Sequence, residues 1–63
     1  MKKILLIRDN SKLSSEVEIF IKNKKLDYNM LFSDDDDLPC VFLPNSAHSY
    51  KGKRGFNFLK MLI

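Results

Sequence analysis

Apolar positions change their spacing from one segment of the chain to the next, and each spacing predicts an element. Lys3 to Ile7 is a continuous aliphatic run bounded by charges, which predicts a central strand covered on both faces. Arg8-Asp9-Asn10-Ser11 reads as a loop leading into a helix, with Ser11 or Ser15 as its cap; Ser15 with Glu18 has the capping-box spacing. Leu13, Val17, Phe20 and Ile21 fall at i, i+4, i+7 and i+8 and make one apolar stripe, leaving Glu16, Glu18, Lys22 and Lys25 outside. Glu18 and Lys22 form a favourable i,i+4 pair, and the helix frays around Asn23 to Lys25, where basic side chains complement its negative end. Leu26, Tyr28, Met30 and Phe32 then alternate with Asp27, Asn29 and Leu31, the period of a partly buried second strand. A helix joining two strands of one sheet implies a right-handed crossover and parallel strands.

Ser33 to Asp37 is an exposed loop, because adjacent like charges repel and aspartate disfavours a sheet. Leu38-Pro39-Cys40-Val41-Phe42-Leu43 predicts a third, buried strand. Proline cannot donate to a ladder, so Pro39 belongs at its start, and the bond before it is one of the few that can be cis. Pro44-Asn45-Ser46 turns the chain into a fourth strand, Ala47 to Lys51, forming an antiparallel hairpin that Gly52 ends. After Gly55, the spacing of Phe56, Leu59 and Leu62 or Ile63 predicts a closing helix.

The 63 residues have room for one domain, and a core this small leaves little surplus stability, so oligomer formation would help. A 44% hydrophobic content, with five Phe and two Tyr, argues against disorder. Cys40 is the only cysteine, which rules out an intramolecular disulfide and suits a reducing, cytoplasmic setting. The apolar run after the N-terminal lysines is too short for a signal peptide, and nothing approaches the roughly 18 apolar residues of a membrane span, so no membrane partner is expected. The net charge of +3 is unevenly placed: residues 38 to 63 carry Lys51, Lys53, Arg54 and Lys60 without an acid, directly after the acidic run Asp34 to Asp37. Such a section can attract nucleic acid or another anion, although its commoner role is a solvated face.

The order strand, helix, strand, proline-led strand, hairpin strand, helix, with Tyr50-Lys51-Gly52 closing the hairpin, resembles the thioredoxin fold, and glutaredoxins are the nearest variety. The resemblance implies an α/β class and a minimal β-α-β-β-β-α architecture in which the usual helix between the second and third strands is reduced to the loop Asp34 to Asp37. In that family a Cys-x-x-Cys opens the first helix and a cis-proline opens the third strand beside it. The corresponding positions here are Ser11-Lys12-Leu13-Ser14, with serine in place of both cysteines.

A serine hydroxyl at a helix N-terminus stays protonated and cannot exchange with sulfur, so dithiol chemistry is excluded. Acyl transfer would need a base beside the hydroxyl, and the one histidine, His48, falls on a distant hairpin turn. Ser11 and Ser14 therefore read as helix caps. Cys40 reads as a small buried apolar side chain, with a single redox-sensitive thiol as the functional alternative. Glutaredoxins hold glutathione through the residue before the cis-proline, here Leu38, and through polar groups after the hairpin glycine. Gly52-Lys53-Arg54-Gly55 lacks the family's acidic residue there, although Lys53 or Arg54 can pair with a carboxylate, so no cofactor is expected. Asp34 to Asp37 lacks the spacing of a calcium loop, and a lone His48 makes no metal site. The resulting expectation is a redox-inactive domain that binds a peptide or protein partner beside Pro39 through Ser11, Lys12, Ser14, Leu38, Lys53 and Arg54. The alternatives are a single-thiol redox protein using Cys40 and a basic nucleic-acid-binding module.

Overall fold

The aliphatic run forms β1 (Ile4–Arg8) and is followed by α1 (Lys12–Asn23) and β2 (Tyr28–Phe32), and then by β3 (Cys40–Phe42), β4 (Ser49–Lys51) and α2 (Gly52–Leu62). The computed structural model describes residues 3–35, 38–44 and 48–62. Asp36, Asp37, the turn residues Asn45 and Ser46, the start of the fourth strand at Ala47, and Ile63 lie outside the described residues. The strands form one mixed sheet in the order β2-β1-β3-β4. β1 and β2 are parallel, whereas β3 runs antiparallel to both β1 and β4. The result is a small α/β domain, and among the described residues no helix is long and apolar enough to cross a membrane.

Both helices serve the same side of the sheet. Ile4, Leu6 and Val41 pack with Val17 and Ile21 of α1 and Leu59 of α2 in one core, and Phe20 of α1 meets Phe56 of α2 edge to face at 5.6 Å. β1 is accordingly buried at Ile4, Leu6 and Arg8 but only half-buried at Leu5 and Ile7. The expectation that β1 is covered on both faces is corrected. Its second face has no helical layer among the described residues, because Ser33 to Asp35 is irregular.

Local chemistry explains the element boundaries. Ser11 caps α1 by accepting from the Ser14 N–H at 3.2 Å, so the Ser15–Glu18 capping box does not form. At the other end the Lys25 N–H donates to the Lys22 carbonyl at 2.9 Å and the Leu26 N–H to the Ile21 carbonyl at 3.3 Å, the bonding pattern of a Schellman motif. Lys25 holds the left-handed position with φ 58°, where glycine is usual. The closing helix begins at Gly52 rather than after Gly55. Gly55 sits inside it because a Cβ there would lie 2.4 Å from the Tyr50 carbonyl carbon, so only glycine lets α2 pack this closely on β4.

Candidate functional site

The register aligns Ile7 with Cys40 and Cys40 with Lys51. One end of the sheet therefore gathers the end of β1, the entry to β3 and the end of β4. Because α1 follows β1 and α2 follows β4, Ser11-Lys12-Ser14, Leu38-Pro39 and Lys53-Arg54 are brought to this same end. The Leu38–Pro39 peptide bond is cis, and the Pro39 carbonyl accepts from the Gly52 N–H at 2.9 Å, tying the start of β3 to the start of α2.

The serines here belong to a closed hydrogen-bond cage. The Ser14 hydroxyl is fully buried, donates to Asp9 Oδ1 at 2.7 Å, accepts from the Asp9 N–H at 3.3 Å and lies 3.2 Å from the Ser11 hydroxyl. The Ser11 N–H also donates to Asp9 Oδ1, at 3.0 Å. Hydrogen bonding from Ser11, and then from Ser14, holds the Asp9 carboxyl down at about 2. These hydroxyls cap and brace the turn between β1 and α1. Ser14 and Pro39 are buried, Ser11 and Leu38 are half-buried, and Lys12, Lys53 and Arg54 are exposed. The exposed side chains among these residues are therefore all cations, and Leu38 is the half-buried apolar one. Cys40 is a free cysteine only 5% exposed, so its sulfur is packed away from solvent.

Sequence reasoning missed a second polar cluster. Arg8, expected in a loop, is the last residue of β1 and is buried on the helix side, and Glu18, expected outside, turns in to meet it. Arg8 Nη1 pairs with Glu18 Oε1, while Arg8 Nη2 donates to the Ser15 hydroxyl at 3.0 Å and Nε to the Asp9 carbonyl at 2.9 Å. The Tyr28 hydroxyl donates to Glu18 Oε2 at 2.8 Å, and Lys22 Nζ lies 3.4 Å from the same oxygen. The Tyr28 bond, helped by Arg8 and Lys22, lowers the Glu18 pKa; burial and the Glu18 bond raise that of Tyr28. The sequence signal was parity: Arg8 follows Ile4 and Leu6 at spacing two, which places it on their face.

A further hollow of about 410 Å³ lies on the outer flank of β4, lined by His48, Tyr50, Lys51, Arg54 and Phe58 among others. The Tyr50 and Phe58 rings stack across it at 5.7 Å with an interplanar angle of 23°. Arg54, two residues after the Gly52 that bonds to Pro39, thus lines this hollow. Among the described residues there is no group of His, Cys, Asp and Glu that could hold a metal ion. Comparison with known protein families, with curated proteins and with solved structures returns no match.

Proposed function

We propose that the chain is a minimal thioredoxin-like, glutaredoxin-like domain without dithiol chemistry, and that it binds an extended segment of a peptide or protein partner at the end of the sheet beside Pro39. The parallel β1–β2 pair, the antiparallel β3–β4 pair and the location of the α1 start and the Leu38-Pro39 segment at one end of the sheet support this reading. The observation that carries it is the state of the side chains there. Ser11 and Ser14 are spent on the Asp9 cage and Cys40 is packed away, so none of these three side chains is an available nucleophile, while the half-buried Leu38 and the exposed cations Lys12, Lys53 and Arg54 belong to the same end of the sheet. An extended segment gains backbone hydrogen bonds from a strand entry of this kind, and carboxylates gain the exposed cations. An unpaired Cys40 suits a reducing, cytosolic setting.

The test is a titration of the labelled chain, followed by its backbone amide resonances, with a panel of acidic and neutral extended peptides. Acidic peptides are expected to shift Leu38, Cys40, Lys53 and Arg54, and Arg54→Glu to abolish the shifts. Perturbations confined to other parts of the sheet, or rapid disulfide reduction in an insulin assay, would overturn the reading.

A further inference from the structure

Among the described residues the outer edge of β2 has no partner strand, since β2 ends the sheet order and pairs there only with β1. Which of its backbone groups face outward follows from the ladder. The Ile4 N–H donates to the Asp27 carbonyl at 3.1 Å and the Ser33 N–H to the Arg8 carbonyl at 2.9 Å, so the odd-numbered residues of this segment point their N–H and C=O groups at β1. Tyr28, Met30 and Phe32 therefore point theirs outward. The strand Tyr28-Asn29-Met30-Leu31-Phe32 carries no charge, proline or glycine, the usual devices that blunt an edge. Met30, Leu31 and Phe32 are 39%, 56% and 59% exposed.

We propose that this edge pairs with itself: a second copy adds its β2 antiparallel across a two-fold axis at Met30, doubling the four-stranded sheet. In that register Met30 faces its own counterpart and Tyr28 faces the partner's Phe32, all of them residues with outward backbone groups, so each pair exchanges both of its hydrogen bonds. The side chains match as well, because an aromatic pair flanks the axis on the helix side of each sheet. Charge selects both the occupant and its direction. The basic turn Lys24-Lys25 precedes β2 and the acidic Asp34-Asp35 follows it, so antiparallel pairing sets each basic turn against the partner's acidic segment. Parallel pairing would set like against like. The β4 edge does not offer the same match, since Lys51 and Arg54 flank it and no acid occurs from residue 38 onward, so two copies there would oppose cations.

The test is sedimentation of the intact chain across a wide concentration range. The wild type is expected to show a monomer–dimer equilibrium that weakens with added salt. Met30→Lys places two like charges at the axis and is expected to weaken dimerisation by about a hundred-fold, and circular dichroism confirms that the variant remains folded. Replacing Lys24 and Lys25 by Glu weakens the dimer, and adding Asp34→Lys and Asp35→Lys to that variant restores it. A chain that stays monomeric to millimolar concentration, or a dimer indifferent to Met30→Lys, overturns the proposal. The peptide-binding end is built on β1, β3 and the two helix starts, with no residue from β2, so Met30→Lys leaves the peptide titration unchanged and the two readings fail separately.

Discussion

Replacing Glu18 by Gln should be far more costly than its place on an amphipathic helix suggests. The Arg8 and Glu18 side chains are only 11% and 15% exposed. Removing one partner of a fully buried pair costs about 3 to 5 kcal/mol, because the other charge is left in a medium of low dielectric. Two features reduce that figure here. Some solvent still reaches both groups, and the Gln amide can keep both contacts as neutral ones, its oxygen accepting from Arg8 and its NH2 donating to the Tyr28 hydroxyl oxygen, so that only the counter-charge to Arg8 is lost. The expected loss is therefore about 2 kcal/mol, which for a domain of this size lowers Tm by roughly 8 to 16 °C. Urea unfolding followed by circular dichroism measures it, at one fixed protein concentration because association shifts apparent stability. A double-mutant cycle with Arg8→Met should return a coupling of at least about 1 kcal/mol. A loss below about 0.5 kcal/mol for Glu18→Gln, the range of a solvent-exposed ion pair, would refute the reasoning.

The same contacts set the acid limb of stability. Asp9 and Glu18 are more acidic in the folded chain than in the unfolded one, so their stabilisation is complete above the ordinary carboxylate range and is lost as pH falls from about 4 towards 2; Asp9→Asn should flatten that limb in acid titrations of unfolding free energy. Gly55→Ala gains helix propensity but drives its methyl into the Tyr50 backbone, and a net loss of about 1 to 2 kcal/mol in urea unfolding is expected, with altered resonances of the stacked Tyr50 and Phe58 rings. Lys25→Gly relieves a left-handed lysine in the Schellman motif and should raise stability by about 0.5 to 1 kcal/mol; no change in thermal midpoint would contradict the role assigned to that turn. Cys40 should resist alkylation until the chain unfolds, so a native-state rate rising through neutral pH would reinstate a reactive thiol.

What the linear chain could disclose depended on the range of the interaction concerned. The aliphatic run of β1, the stripe of Val17 and Ile21 and the proline-led entry to β3 are legible because neighbours in sequence carry them, whereas the alternation in β2 marks the strand but not its burial, since Asn29 to Phe32 are all exposed. The Ser11 cap is equally local, as one hydroxyl reaches an N–H three residues on. The ends of α1 and α2 were less legible, because a lysine occupies the usual glycine position at one and Gly55 answers to Tyr50 rather than to a turn. At the candidate site, residue type alone showed that thiol chemistry at Ser11 and Ser14 was absent, since no fold turns a hydroxyl into a thiolate.

Tertiary structure decided the rest. Arg8 and Glu18 are ten positions apart, and their meeting required the crossover from β1 into α1. The identity of β2 as an edge came from the sheet order, which no local pattern encodes. Among the described residues no helix covers the second face of β1, although its aliphatic run reads as fully buried. A strand's sequence reports how apolar its faces are, whereas their burial is set by which elements the chain returns to lay across them.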